Sequence, residues 1–151
     1  MHYIHYGSDS FDINKFEPVS NRERWNKPNG GLWSSPIDSN NGWRDWCLSN
    51  FYTRCDLNKS FEFDLSNDTN IFKIYDNETL SKLLYYTKDP SLGIFSVDDR
   101  YHNINFEWLM IHGYDGIEVL INTEEIYFKL YGWDCDTLLI FNPDVMIFNK
   151  E

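Results

Sequence analysis

The chain has only three cysteines, few basic residues and no long apolar run, and each shortage excludes a class of explanation. Its longest apolar stretch, Thr137 to Phe141, falls far short of the roughly 20 residues that a helix needs to cross a bilayer, so no membrane association is expected. Cys47, Cys55 and Cys135 are odd in number, lack CxxC spacing and have no matching histidine pair, which argues against a disulfide framework and a zinc site. A reducing compartment fits them. The opening Met-His-Tyr-Ile-His-Tyr runs straight into strand-like sequence without the basic, apolar and small-residue segments of a secretory signal, and a cytoplasmic location is the expectation. Lys and Arg number 13 against 24 Asp and Glu, giving a net charge of −11 and a pI near 4.6. Gripping a phosphate backbone depends on cations, so no direct nucleic-acid binding is expected, although an acidic surface could imitate a nucleic acid.

What the chain does have is aromatic mass: 18 % of its residues are Phe, Trp or Tyr within an apolar fraction of 42 %. A length of 151 residues suits one core. Pro and Gly are scattered as turns, with no repeat, linker or low-complexity tract, so residues 1–151 read as a single domain.

The periodicities predict short elements. Tyr3 to Tyr6 reads as a strand, followed by a long irregular stretch ending in Gly30-Gly31-Leu32-Trp33-Ser34. Behind a cap at Asn41, Trp43, Trp46, Cys47 and Phe51 recur at helical spacing and predict a buried stripe. Alternation at Phe61, Phe63 and Leu65 predicts a strand, with Ile71 to Tyr75 as its neighbour. Asn77 is placed to cap a helix from Glu78 to Thr87 that presents Leu80, Leu83 and Leu84 inward and stops before Pro90. A helix from Asn105 to His112 carries Phe106, Leu109 and Met110 on its apolar face, with Gly113 at a left-handed C-terminal cap. Gly116 to Ile121, Ile126 to Tyr131 and Thr137 to Phe141 read as three closing strands. Without a βαβ rhythm or a Gly-rich phosphate loop, the fold class is α+β.

Three separated segments carry a family resemblance. Tyr3-Ile4-His5-Tyr6-Gly7-Ser8 resembles the first-strand motif of ADP-ribosyltransferase-like proteins. Gly30-Gly31-Leu32-Trp33-Ser34-Ser35 is similar to their Gly-aromatic-small second element. Gly113-Tyr114-Asp115-Gly116-Ile117, followed by Asp136-Thr137-Leu138-Leu139-Ile140-Phe141-Asn142-Pro143, looks like the C-terminal pattern of phage-encoded members. The resemblance implies two small packed β-sheets with flanking short helices, NAD as substrate, and ADP-ribosyl transfer onto a macromolecular target, a protein in the first instance. It assigns His5, Tyr6, Gly7, Ser8, Trp33 and Ser34 to NAD, with His5 on a ribose hydroxyl and Trp33 or Tyr6 stacked on nicotinamide.

The chemistry gives these residue types a purpose. Breaking the nicotinamide–ribose bond builds positive charge on the sugar, which a preplaced carboxylate stabilises. A glycine at a strand edge lets backbone groups reach the nicotinamide amide unobstructed, and Gly7 suits that role. The resemblance points to Asp136 as the acid, although the family's glutamate stands one residue closer to the aromatic, where this chain has Thr137; a bulge would absorb that offset. Glu118 interrupts an otherwise apolar strand and is the second candidate, with Asp134 and Glu125 as further alternatives. Each assignment competes with a bland role: His5 as a core hydrogen-bonder, Gly30-Gly31 as a plain turn, Trp43 and Trp46 as core. A thiol–histidine pair drawn from Cys47 or Cys55 with His102 or His112, and calcium ligation at Asp64 to Asp68 or Asp98 to Asp99, have no supporting spacing. A non-enzymatic alternative is an acidic inhibitor, of the anti-CRISPR or nucleic-acid-mimic kind, motivated by the −11 charge.

Overall fold

The computed structural model describes residues 2–22, 27–81 and 104–149. The fold is mixed α/β, and the strands among the described residues join in one seven-stranded sheet. In chain order the elements are β1 (His2–Tyr6), β2 (Leu32–Pro36), α1 (Trp43–Ser49), β3 (Ser60–Leu65), β4 (Ile71–Ile74), α2 (Asn77–Ser81), α3 (Phe106–Ile111), β5 (Gly116–Val119), α4 (Glu124–Lys129), β6 (Thr137–Ile140) and β7 (Met146–Ile147). Their order across the sheet is β4-β5-β6-β2-β1-β3-β7. β4 and β5 run parallel, and every other pair is antiparallel. Two separate packed sheets were the expectation. They merge because β1 uses both edges, pairing with β3 along its length and with β2 through Tyr3↔Pro36 and Ile4↔Ser35.

Side chains alternate across a sheet, so the register assigns each residue to a face. One face carries Trp33, Ile117, Val119 and Leu139, and these pack with Phe106, Leu109, Ile126, Leu130 and Trp133. The other carries Tyr3, Leu32, Phe63, Leu138 and Ile140, closed by Val145 and Met146. The two apolar layers explain the continuous burial of β5 and β6, whose only polar side chains are Glu118 and Thr137.

Local rules account for the helices. Asn105 accepts the Trp108 N–H at 2.9 Å, Phe106 and Leu109 are buried, and Gly113 takes φ +83° after the last turn, as the pattern predicts. The expected strand at Ile126 to Tyr131 is instead α4. Thr123 accepts the Ile126 N–H at 3.2 Å, Glu124 and Glu125 sit in the first turn, and Lys129 pairs with Glu125 at 3.0 Å. Ile126 and Leu130, four residues apart, are both fully buried, so helical spacing wins over the β-propensity of the segment. Phe51 also departs from expectation: α1 ends at Ser49, and Phe51 takes φ +53° and is 91 % exposed. The caps shift by one residue. α1 begins after Gly42, whose N–H bonds Asp45, and Asp76 accepts the Thr79 N–H at 2.7 Å at the start of α2. Leu83, Leu84, Pro90, Asp98, Asp99 and His102 lie outside the described residues.

The approach to β2 requires glycine. Gly30 and Gly31 hold φ +72° and +75°, and a Cβ on Gly30 would stand 2.3 Å from the Pro18 carbonyl oxygen. The pair lets the chain pass against residues 17–19, where the Gly31 N–H bonds the Glu17 carbonyl at 2.8 Å.

Opposite β3, His2 places Nε2 2.5 Å from Glu62 and Nδ1 2.8 Å from Asp64. Its bonds to Glu62 and then Asp64 raise its pKa, and the same His2 contact lowers that of Asp64. Protonated His2 therefore contributes stability that is complete below the ordinary histidine pKa and is lost as pH rises through its raised value. Ionised Asp64 contributes stability that is lost as pH falls through its lowered value. Urea midpoints measured from about pH 5 to about pH 9 should fall on the alkaline side, and His2→Gln should flatten that limb. A wild-type midpoint that stays level or rises there would contradict the assignment.

Candidate functional site

The face that carries α2, α3 and α4 retains a cleft of about 400 Å³ over β1, β2 and the start of β6. Strand alternation brings Ile4, Tyr6, Trp33, Ser35 and Thr137 to it. Trp43 enters from the first turn of α1, which is tied to β2 because Ser35 Oγ accepts the Trp43 N–H at 2.9 Å. The turn before β6 supplies Trp133, Asp134 and Cys135, and the loop before β2 supplies Lys27 and Pro28, with Arg22 also on the wall. Trp33 and Trp133 meet at 5.0 Å between ring centroids, and Trp43 stacks on Trp46 at 5.1 Å with nearly parallel planes. The lining is thus aromatic walls, two cations and one carboxylate.

His5 sits where β1 and β2 part. The paired register between these strands ends at Ile4↔Ser35, and one residue on, His5 Nδ1 donates to the Trp33 carbonyl at 2.7 Å. The ring also packs against Phe61 at 5.0 Å. Burial lowers the pKa of His5, outweighing the contrary effect of the Trp33 carbonyl, so the imidazole is neutral at pH 7. With the proton on Nδ1, Nε2 is left as an acceptor. His5 borders both this cleft and a second one of about 580 Å³ that contains Gly7, Ser8, Leu32 and Phe61.

The sequence-selected residues therefore divide. Tyr6 and Trp33 present their side chains to the first cleft; His5 and Ser34 border it from positions whose side chains alternate to the opposite face, where Ser34 Oγ donates to the Leu138 carbonyl at 3.0 Å; Gly7 and Ser8 line its neighbour. Glu118 stands opposite Leu138 on the other face of the sheet and is 2 % exposed. The Tyr3 hydroxyl donates to its Oε2 at 2.6 Å, and the Tyr75 hydroxyl donates to Oε1. Burial, then the Glu118 bond, pushes both phenols above their ordinary pKa. Asp136 joins loops: Oδ2 accepts from Ser39 Oγ at 2.6 Å, Oδ1 accepts the Ile121 N–H at 2.8 Å, and its own N–H bonds Asn41 O at 2.8 Å. Glu125 lies exposed on α4. Asp134 is the carboxylate that reaches the cleft.

Sequence reasoning did not select Lys27, Arg22 or Trp133, and it set Trp43 aside as core. The helical stripe gave reason for that last choice, and Cys47 on it is indeed buried, but Trp43 lies at the helix start and faces the cleft. All three cysteines are free. Burial pushes Cys135 up to about 11, while Cys55 lines the cleft half-buried. His112 is exposed and stacked on Trp108 at 3.6 Å, apart from the buried Cys47. Among the described residues, no group of three or more His, Cys, Asp or Glu converges as a metal site, and no helix is long and apolar enough to cross a membrane.

The tyrosine-bonded Glu118 behaves as a structural centre. Glu118→Ala should destabilise the protein by about 2 to 4 kcal/mol in urea unfolding, because it removes the acceptor of two tyrosine hydroxyl bonds, one of them deeply buried, together with the packing of a buried side chain. A loss below about 1 kcal/mol would contradict that role. No protein-family model matches the chain, and no curated protein or solved structure matches it either.

Proposed function

We propose that the cleft binds NAD and that the chain acts as an ADP-ribosyltransferase-like protein on a macromolecular target. The observation that carries this reading is the composition of one concavity: His5, Tyr6, Trp33 and Ser34 from the first two strands, a carboxylate at Asp134, and cations at Lys27 and Arg22. A dinucleotide needs aromatic surface for its rings and positive charge for its diphosphate. In a chain of net charge −11, cations gathered beside tryptophans suit such a ligand better than a neutral apolar one.

In this reading Trp33 stacks on nicotinamide, and His5 Nε2 accepts a ribose hydroxyl. Asp134 stabilises the positive charge that develops on the ribose as nicotinamide leaves. Glu118 and Asp136, spent on tyrosines and on loop contacts, support the sheet and the rim instead. The finer fold reading, an ADP-ribosyltransferase-like arrangement, belongs to the same proposal. It is supported by the adjacency of the first and second motif strands and by β6 beside them.

A second reading rests on the −11 charge alone: an acidic inhibitor docking on a basic, phosphate-attracting channel, with binding that weakens as salt rises. It predicts stoichiometric inhibition without NAD, whereas the enzyme acts substoichiometrically and requires NAD.

Calorimetric titration with NAD, together with an assay of nicotinamide release, tests the proposal. Saturable binding is expected to disappear in Trp33→Ala. Nicotinamide release is expected to fall at least about 100-fold in Asp134→Asn, the size of effect seen when one electrostatic stabiliser of a transition state is removed. Absence of saturable NAD binding by the wild-type protein would overturn the reading. Full activity in Asp134→Asn would overturn the choice of acid.

A further inference from the structure

Lys27 reaches across the cleft. Its stem passes Gly132, where an added Cβ would lie 3.9 Å from Lys27 Cε. Its ammonium stands 5.6 Å from the centroid of the Trp33 ring and 3.4 Å from Asp134 Oδ2. The second distance is long for a charge-assisted bond, which closes to about 2.7 to 2.9 Å, so the ammonium divides itself between two loose contacts. Both partners of the ion pair are partly exposed, with side-chain exposures of 39 % and 26 %, and neither contact holds the group firmly.

We infer that Lys27 is the specificity determinant of the cleft, admitting ligands that couple a planar ring to an anionic phosphate and disfavouring ones without such an anion. The inference rests on the assignment of this cleft as the ligand site. A neutral ring seeking the Trp33 face competes with the ammonium already drawn to it. An anionic ligand turns the competitor into a partner: the ammonium leaves Trp33 and Asp134 for the ligand's phosphate, the aromatic face opens, and Asp134 loses its counter-ion. One side chain thereby weakens neutral ligands and strengthens anionic ones.

The two effects have opposite signs, and that makes them testable. Wild type, Lys27→Met and Lys27→Arg are titrated with NAD and, separately, with uncharged nicotinamide, following tryptophan fluorescence. In Lys27→Met, NAD is expected to bind about tenfold more weakly and with a shallower salt dependence. Nicotinamide is expected to bind about threefold more tightly, the fold equivalent of one exposed cation contact removed. Lys27→Arg should keep the wild-type order, which separates charge from a general disturbance of the site. Shifts of the same sign for both ligands, or no shift, would overturn the role of Lys27 and leave the cleft assignment standing. A wild-type protein that takes up neither ligand would remove the cleft assignment and this inference with it.

Discussion

Two residue pairs, Tyr3↔Pro36 and Ile4↔Ser35, join the two halves of the sheet, and the rest of the molecule is arranged around that short seam. On one side β2 carries β6, β5 and β4; on the other, β1 carries β3 and β7. Because the seam is short, the strands part immediately after it, and the imidazole of His5 takes the Trp33 carbonyl at the fork. A neutral histidine suits that position: it satisfies the carbonyl without introducing a charge that burial would penalise. The clefts that border His5 follow from the fork.

The seam is braced from both faces. Glu118, reaching across from β5, holds Tyr3 of β1 and Tyr75 beyond β4, so a single buried carboxylate ties the two halves of the sheet on the face away from the first cleft. Asp136 fixes the loops around residues 39–41 and 121. On the cleft side, Ser35 anchors α1 through the Trp43 N–H, so the aromatic wall is positioned by the same strand that forms the seam. Polar groups supply these braces because each is paired; a carboxylate as buried as Glu118 without its two hydroxyls would be costly.

Elements with a clean apolar period and a side-chain cap were legible in the sequence: Phe61 to Leu65 as a strand, and Asn105 to His112 as a helix ended by Gly113. α4 was not read, because Ile126 to Tyr131 is rich in β-formers, and the cap at Thr123 together with the burial of Ile126 and Leu130 four residues apart selects the helix. Phe51 misled for a related reason: a stripe continues on paper past the residue where the backbone leaves the helix. At the first cleft, His5, Tyr6, Trp33 and Ser34 are the bordering residues that the sequence motifs had singled out. Which acid faces them was not legible, since it depends on β6 inserting between β2 and β5 and on which face each register exposes. Asp134 and Asp136 stand two residues apart, yet one reaches the cleft and the other binds loops. Lys27 and Trp133 carried no local signal, because only long-range pairing brings residues 27 and 133 together.

That the cleft over β1, β2 and β6 is where ligand binds is tested most directly by the indole N–H resonances of the six tryptophans, assigned by substitution, during an NAD titration. The account predicts saturable shifts at Trp33, Trp43 and Trp133, which line the cleft, and none at Trp108, which stacks on His112 outside it. Shifts confined to Trp108, or no saturable shift at any cleft tryptophan, would contradict it.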